Sequence, residues 1–302
     1  MEEGNSLNFL QDILENEYGK DLKNTIIDGY KTKRATTFRA NTLKTNSKIV
    51  EKYLNDHIMK YKKVKWSDEA FILIDNNEND VRSLDIYEKG EIYMQSLSSM
   101  LPAIILDPKS DENILDMTAA PGGKTTQLVA LSDGKACITA CEKNKIRMQR
   151  MKFNIEKQGA TRANIMNEDA RKLDDFFSFD KILLDAPCSG SGTLNFNDKD
   201  LQTKFTKDLV NRSIKTQKEL LQKAVKILKK GGELVYSTCS ILKEENEKNL
   251  EQLIKNNKLE LIPINKDLFA EIPLLPVTLE GTICVCPNEL YEGFFVAKLR
   301  KK

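Results

Sequence analysis

The chain contains the stretch Asp180-Lys-Ile-Leu-Leu-Asp-Ala-Pro-Cys-Ser-Gly190, which joins a short apolar run to a turn with reactive side chains. The run Ile182–Leu184 is typical of a strand buried on both faces of a parallel sheet. Ligands of open α/β sheets bind beyond the carboxyl ends of the strands. Asp185 and Cys188, which follow the run, are therefore placed for chemistry. An acid-capped turn with a structural cysteine explains the same residues equally well.

The length and composition indicate a folded protein with a sizeable core. The chain has 302 residues, of which 40% are hydrophobic and 30% charged, and this suits one large or two ordinary domains. It has no apolar run of about eighteen residues, so no membrane span is expected. The acidic start lacks the features of a secretory signal, and the six cysteines then indicate free thiols in a reducing compartment. We therefore expect a cytoplasmic protein, which we take to be a monomer.

Residues 1–92 are predicted to form a small α+β domain that binds RNA. Hydrophobic spacing predicts, in chain order, two helices within 6–30, a strand at 36–43, a helix at 47–61, a strand at 71–74 and a turn at 75–80. From Lys31 to Lys65 there are eleven Lys or Arg residues against two acids. Such a stretch could track a phosphate backbone, with Arg39 as one contact, or could equally be a solvated face. The single histidine, His57, is expected at the surface, which leaves no histidine base for catalysis.

Residues 93–302 are predicted to form an α/β domain, because strand and helix patterns alternate there. Strands are predicted at Asn113–Met117, Cys137–Cys141, Ala163–Met166, Lys181–Asp185 and Glu233–Ser237. Helices are predicted at Lys124–Leu131, Lys143–Gln158 and Asn211–Lys230. The alternation implies a parallel sheet with helices on both faces. The polar stretch Leu194–Lys207 is predicted to be a loop or short helix near the Asp185 edge.

Three consecutive strand ends carry acids that suit an adenosine. Asp116 is followed by the small-residue turn Met117–Gly123, after which the predicted helix begins and can favour electronegative groups. Glu142 ends the next strand, where an acid accepts hydrogen bonds from ribose hydroxyls. Asp169 follows the third strand and can accept from an adenine amino group. The series therefore predicts an adenosine site.

The glycine pattern decides which adenosine compound fits. A phosphate-binding loop needs a glycine five residues before Gly123, where Thr118 stands, and the dinucleotide pattern G-x-G-x-x-G is also absent. Without a pyrophosphate loop, S-adenosyl-methionine is the better match.

Two cysteines follow neighbouring strand ends. Cys188 follows the opening stretch and Cys239 follows the predicted strand at Glu233–Ser237, so both thiols should face the adenosine pocket. Two ordinary free thiols or a disulfide pair are the alternatives. Cys284-Val-Cys286 is too tightly spaced for a usual zinc knuckle, and we expect no metal site.

These motifs resemble those of the Sun-type (NOL/NOP/Sun, RsmB-like) RNA cytosine-5 methyltransferases. The matching segments cover nearly all of the chain: Phe38–Leu43, Tyr93–Ser99, Asp116–Lys124, Asp185–Gly190, Ser237–Ser240 and Gly293–Leu299. The pairing of Pro187-Cys188 with Thr238-Cys239 is the most specific of them. One departure is Asn288, where many bacterial members have histidine.

The resemblance implies a Rossmann-like methyltransferase domain with a mostly parallel, seven-stranded sheet. It implies that Cys239 adds to cytosine carbon 6, because carbon 5 alone is a poor nucleophile, and that Cys188 assists proton removal from carbon 5 and release. Asp185 would bind the cytosine edge or the cofactor, and Lys124 the base or its phosphate. The methionine part of the cofactor would lie on the backbone of Thr118, Ala119, Ala120, Pro121, Gly122, Gly123 and Lys124.

The family implies RNA and not DNA as the substrate, with ribosomal RNA favoured over transfer RNA. Two other classes of protein remain as alternatives. One is a non-catalytic RNA-binding module that retains a cofactor site, against which the presence of both cysteines and Asp185 argues. The other is an amide or protein methyltransferase, but the loop Asp185-Ala-Pro-Cys188 lacks the aromatic residue that would stack on a planar amide.

Overall fold

The computed structural model describes residues 3–196 and 205–302. Residues 197–204, in the middle of the stretch predicted to be a loop or short helix, lie outside the described residues. Two sheets organise the described part of the chain, one of four strands and one of nine. None of the described helices is long and apolar enough to cross a membrane.

The N-terminal helix α1 spans Glu3–Lys31 and is broken at Gly19, whose φ of 78° and ψ of 169° are not helical. The prediction of two helices in this region is therefore confirmed. Leu14 and Tyr30 of α1 belong to the same apolar core as Leu184 and Tyr236 of the large sheet. The helix thus packs against the predicted α/β domain.

The four-stranded sheet is antiparallel. Its strands are β1 (Thr37–Ala40), β2 (Tyr61–Val64), β3 (Ser67–Leu73) and β4 (Ile92–Met94), in the order β2-β3-β1-β4, and its helices are α2 (Ser47–Asp56), α3 (Glu78–Arg82) and α4 (Asp85–Glu88). The strand β4 crosses the predicted boundary between residues 92 and 93. The division into domains stays a prediction.

Four local predictions in this region were wrong at their edges. The strands predicted at 36–43 and 71–74 are Thr37–Ala40 and Ser67–Leu73. The helix predicted at 47–61 ends at Asp56, because Ile58 takes a φ of 56°, is 90% exposed and leads into β2. The turn predicted at 75–80 is correct only in part, since α3 begins inside it behind an Asn77 capping box.

The nine-stranded sheet carries the predicted α/β pattern. Its strands are β5 (Asn113–Asp116), β6 (Cys137–Cys141), β7 (Ala163–Met166), β8 (Phe179–Asp185), β9 (Leu228–Thr238), β10 (Leu259–Ile262), β11 (Leu274–Leu275), β12 (Ile283–Val285) and β13 (Phe294–Lys301). Its helices are α5 (Leu97–Leu106), α6 (Gly123–Leu131), α7 (Lys145–Gln158), α8 (Lys207–Ile227) and α9 (Glu247–Lys255). The Rossmann-like α/β fold is confirmed.

The strands from β5 to β9 are parallel and lie in the order β7-β6-β5-β8-β9. The later strands are antiparallel, since β13 pairs with β9 and β10 and β12 pair with β13. The predicted count of seven strands was wrong for the described residues. Antiparallel strands need no crossover helix between them, and so the last part of the chain adds β11, β12 and β13 in succession, more strands than the family pattern implied.

The order of the parallel strands sets the position of the ligand crevice. The chain runs outward from β5 to β6 and β7, then returns to β8 on the other side of β5. Ligands of such sheets bind at this reversal, beyond the carboxyl ends of the strands. Asp116 and Asp185 are the last residues of β5 and β8, the two strands that meet there.

Candidate active site

Two cavities open at the carboxyl edge of the parallel strands. The smaller has a volume of about 350 Å³ and the larger about 700 Å³. Four residues line both: Thr118, Ala120, Asp185 and Cys239. The two cavities therefore meet at a wall where a group bound on one side could reach a group bound on the other.

The smaller cavity combines carboxylates with an apolar wall. Glu142 follows β6, is 5% exposed, and is fixed by the backbone N–H of Asn144 at 2.7 Å and by Arg147 at 3.3 Å. Asp169 follows β7, and the Arg171 guanidinium that donates to both of its oxygens holds its pKa down at about 2. The apolar wall is formed by Met117, Ala186, Pro187 and Leu220. Carboxyl oxygens at two strand ends beside an apolar slot fit the ribose hydroxyls and the adenine of an adenosine.

The turn between β5 and α6 divides between the two cavities. Thr118 and Ala120 line both, whereas Ala119, Pro121, Gly123 and Lys124 line only the larger one. Gly122 precedes α6 with a φ of 102°, a left-handed conformation that favours glycine. It belongs to the described wall of neither cavity. The role of this turn in holding the methionine part stays a prediction.

Asp116 supplies an unused acceptor beside this turn. One of its carboxylate oxygens accepts from the Thr125 hydroxyl at 2.7 Å, and the other, Oδ1, is buried without a hydrogen-bond partner among the described residues. Burial, with a smaller contribution from Asp185, raises the pKa of Asp116 to about 6. Because a buried carboxylate is costly without donors, this oxygen suits the amino group of a bound amino acid such as the methionine part of the cofactor.

Lys124 and Asp185 form the charged centre of the larger cavity. The Lys124 ammonium lies 2.7 Å from Asp185 Oδ2 and 2.7 Å from the Ser99 hydroxyl. The hydroxyl of Ser237 donates to Asp185 Oδ1 at 2.8 Å, so both oxygens of that carboxylate are held. Burial lowers the pKa of Lys124, but Asp185 outweighs it and the net pKa is raised. Lys124 is therefore a fixed cation in the cavity wall.

The two thiols lie against each other. Cys188 Sγ is 3.0 Å from Cys239 Sγ, and both cysteines are free. Cys239 lines both cavities, whereas Cys188 lines the smaller one. The hydrogen bond to Cys239, together with burial, raises the pKa of Cys188 well above its ordinary value. The two sulfurs are within hydrogen-bond distance, and either thiol can be the donor.

Arg39 is not free to contact a phosphate, and that prediction was wrong. Its side chain is 3% exposed and donates to Gln95 Oε1 at 2.9 Å, to the Thr126 hydroxyl at 2.8 Å and to the Gly123 carbonyl at 3.1 Å. It therefore connects β1 of the small sheet to the first turn of α6. Its partners lie far away in sequence, and the strand pattern gave no sign of them.

Several residues around the site were not predicted to act there. Ser99 and Ser237 hold Lys124 and Asp185, and both stand inside segments that carry the family resemblance, which was the available signal. Glu245 is fully buried and bonds to the residues that follow both cysteines. Nothing in its local sequence marked it. Asn288 caps a turn by accepting from the backbone N–H groups of Leu290 and Tyr291.

Known proteins share the sequence pattern and the fold of this chain. The family described as 16S rRNA methyltransferase RsmB/F matches residues 103–300. The chain belongs to this family. The resemblance to Sun-type methyltransferases is thus confirmed.

Individual relatives are similar over most of this chain. A tRNA (cytosine(72)-C(5))-methyltransferase of Pyrococcus horikoshii is 40% identical over 221 residues, which are 72% of this chain and 54% of that protein. A ribosomal RNA small subunit methyltransferase F of Shewanella piezotolerans is 33% identical over 273 residues, or 88% of this chain and 57% of that protein. The chain therefore spans about half the length of these curated relatives.

A solved structure, described as NSun6 from Pyrococcus horikoshii with SFG, superposes with a TM-score of 0.84 at 26% identity, covering 97% of each chain. S-adenosyl-methionine is the cofactor of this methyltransferase family. Glu142, Asp169 and the unpaired oxygen of Asp116 provide acceptors that fit its adenosine and its amino group. The roles of the individual residues remain predictions.

Proposed function

We propose that this protein methylates carbon 5 of a cytosine in a structured RNA, using S-adenosyl-methionine. The single observation that supports this best is the contact between the thiols of Cys188 and Cys239, at the wall where the two cavities meet. One cavity suits an adenosine, and the other is large enough for a nucleotide. A reactive sulfur between them is what covalent activation of a pyrimidine requires.

In the proposed mechanism, the Cys239 sulfur forms a bond to carbon 6 of the cytosine. The attack needs the Cys239 sulfur as a thiolate, so the Cys239 thiol must first lose its proton, and an S–H of Cys188 in contact with it can stabilise the negative charge. Addition makes carbon 5 electron-rich, and the bound cofactor supplies the methyl group that carbon 5 takes up. A base then removes the proton from carbon 5, and its C–H electrons re-form the 5,6 double bond as the S–C6 bond breaks.

Cys188 is proposed as the group that assists this last step. It would act as a thiolate after its proton has passed to solvent, which is easier once the Cys239 sulfur is bonded to carbon, because the hydrogen bond between the sulfurs that helps to raise the Cys188 pKa is then lost. Asp185 and Lys124 are proposed to hold the cytosine edge and to stabilise the charge that develops during addition. Their mutual ion pair and their bonds to Ser99 and Ser237 keep both groups in place before RNA arrives.

The larger cavity has features that suit an RNA nucleotide. Lys33, Arg34 and Arg82 line it together with Lys124. Arg34 Nε and Nη2 are buried without hydrogen-bond partners among the described residues. Phosphate oxygens are the acceptors that guanidinium groups favour in nucleic acids. The target base would have to leave its stack to reach Cys239.

We propose ribosomal RNA over transfer RNA as the substrate, and a protein that acts as a monomer. The preference for ribosomal RNA rests on the family description and on relatives named for ribosomal RNA, although one similar relative is named for transfer RNA. The monomer is supported by the fact that one chain supplies acceptors, cations and both thiols. A non-catalytic RNA-binding module would have no use for two reactive sulfurs in contact.

A direct assay tests this proposal. Total RNA from a strain that lacks the gene is incubated with the protein and labelled S-adenosyl-methionine, and the modified cytosines are mapped by bisulfite sequencing. We expect label at one or a few cytosines of ribosomal RNA, and none with the Cys239→Ala variant. Label in adenines, or in protein alone, would overturn the proposal. Label confined to transfer RNA would overturn only the preference for ribosomal RNA.

A further inference from the structure

Glu245 lies between the two loops that carry the cysteines, in the segment between β9 and α9. Its side chain is fully buried and lines neither cavity. It follows that Glu245 cannot touch a bound nucleotide or cofactor. Its contacts are nevertheless with residues next to the thiols.

The carboxylate of Glu245 bonds to both cysteine loops at once. Oε1 accepts from the backbone N–H of Ser189 at 2.7 Å, and Oε2 accepts from the Ser189 hydroxyl at 2.6 Å. Oε2 also accepts from the Ser240 hydroxyl at 2.5 Å. Ser189 and Ser240 directly follow Cys188 and Cys239. A single buried group thus fixes the residue after each thiol.

We propose that Glu245 is a positioning residue that sets the distance between Cys188 and Cys239. Hydrogen bonds to a charged acceptor are stronger than those between neutral groups. A buried donor that loses such a partner stays desolvated without a bond, which destabilises the fold. One backbone bond joins the two loops here, from the Gly192 N–H to the Cys239 carbonyl at 3.0 Å. The carboxylate adds bonds to the residues that follow the two cysteines.

Other contacts restrain the loops but do not replace Glu245. The hydroxyls of Ser191 and Ser240 lie 2.8 Å apart. On the outer side, Tyr30 of α1 donates its hydroxyl to the Ser191 carbonyl at 2.6 Å, and Tyr18 donates to the Ile241 carbonyl. These contacts hold the loops beyond the cysteines. Ser191 also contacts both of the residues that follow the cysteines, but its N–H lies 3.4 Å from the Ser189 hydroxyl, whereas the bonds from Ser189 and Ser240 to Glu245 are 2.5 to 2.7 Å long.

Replacement by glutamine would test the carboxylate with little change in volume. The amide oxygen can keep the bond from the Ser189 N–H. The amide NH₂ then faces the hydroxyls of Ser189 and Ser240, which must turn to accept and give up their present bonds. Glu247→Gln is the matched control, because Glu247 is also buried and bonds to the backbone N–H of Thr278, away from both cysteine loops.

The rate at which the two thiols form a disulfide depends on the distance between them, and it can be measured without RNA or cofactor. Diamide takes one hydrogen from each thiol and becomes the hydrazine, while the two sulfurs form an S–S bond. Peptide mapping follows the Cys188–Cys239 disulfide with time. We expect Glu245→Gln to form it about tenfold more slowly than the wild type, a factor of about 1.4 kcal/mol in barrier, and Glu247→Gln to match the wild type. Equal rates for Glu245→Gln and wild type would overturn the proposal.

A second readout rests on the proposed function. We expect kcat for RNA methylation to fall about tenfold in Glu245→Gln, with KM for RNA and the Kd of S-adenosyl-methionine unchanged. A purely structural loss would lower thermal stability without slowing the diamide reaction. If Glu245→Gln does not fold, Ser189→Ala is used in its place, because it keeps the backbone bond to Glu245 and removes the hydroxyl bond. We again expect slower disulfide formation, and an unchanged rate would overturn the proposal. Because the diamide assay needs no substrate, failure of the proposed function would leave its result interpretable.

Discussion

Cys188 Sγ lies 3.0 Å from Cys239 Sγ, and Cys239 stands on the wall shared by the two cavities. Either sulfur can donate in this contact, and the contact together with burial raises the pKa of Cys188. Cys239 lines both cavities, whereas Cys188 lines only the smaller one. This position between the cavities is compatible with the nucleophile role that the family resemblance implies for Cys239.

The raised pKa of Cys188 predicts different pH profiles for the two halves of the reaction. Release of product is proposed to need the Cys188 thiolate; the hydrogen bond to Cys239 and burial both raise the pKa of Cys188, and burial remains after Cys239 has bonded to carbon. We expect steady-state turnover to keep rising with pH above the ordinary cysteine value of about 8.5, whereas adduct formation, which does not need the Cys188 thiolate, should not follow the same rise. Rapid-quench and steady-state assays over one pH series measure both. Superimposable profiles would contradict the assignment, and Cys137→Ala, which removes an exposed thiol, is the control.

The carboxylates of the smaller cavity should determine cofactor affinity. Glu142→Ala or Asp169→Ala is expected to weaken binding of S-adenosyl-methionine by roughly tenfold to a hundredfold, the loss expected for hydrogen bonds to a charged group. Glu260→Ala, on the exposed face of β10, should change nothing. Calorimetric titration measures the affinity, with ATP and NAD as competitors. Saturable ATP binding without heat from S-adenosyl-methionine would be incompatible with the cavity assignment.

Arg34 provides a test of how RNA enters the larger cavity. Arg34→Ala is expected to weaken RNA binding and to reduce the slope of log affinity against log salt by about one, as for the loss of one phosphate contact. Lys62→Ala is the matched control, because Lys62 is exposed on β2 and lines neither cavity. Equal losses in both variants would instead favour the whole basic stretch from Lys31 to Lys65 as the RNA surface. No loss in Arg34→Ala would exclude the proposed contact.

Glu17 should make stability depend on pH. Its carboxylate accepts from the Lys243 backbone N–H at 3.0 Å, and burial raises its pKa from 4.5 to about 7. A carboxyl whose pKa is higher in the folded state stabilises the fold fully below about pH 4.5, and that contribution is lost as the pH rises through about 7. We expect the urea midpoint of unfolding to fall less across this pH window in Glu17→Gln than in the wild type. Glu15→Gln, an exposed residue of the same helix whose pKa is lowered by Lys23, should leave the fall unchanged.

The parallel half of the fold could be predicted from sequence because its signals are local. The strands β6 and β7 were predicted with their observed bounds, since apolar runs bounded by turns mark buried parallel strands. The strand β2, Tyr61-Lys-Lys-Val64, was missed because it is an edge strand that alternates polar residues with few apolar ones. The strand β4 has three residues, too few to show a period.

The same difference between local and long-range signals applies to the residues of the site. Asp116, Asp185 and the two cysteines could be predicted because each follows a strand, and parallel strand ends share one edge of a sheet. Arg39 and Glu245 could not be predicted. The side-chain partners of Arg39 lie 56 or more positions away in sequence, and Ser189, a partner of Glu245, lies 56 positions away. Only the packing of the small sheet on α6, and of one loop on another, brings these groups together.

The most direct test of the central claim is to trap the covalent complex. Cys188→Ala is incubated with RNA and S-adenosyl-methionine, resolved on a denaturing gel, and digested for mass spectrometry. The expected result is a shifted band in which Cys239 carries a 5-methylcytosine nucleotide, because the S–C6 bond forms but release is blocked. The double variant Cys188→Ala, Cys239→Ala should give no such band. An adduct on another residue, or cytosine methylation by Cys239→Ala, would contradict the mechanism.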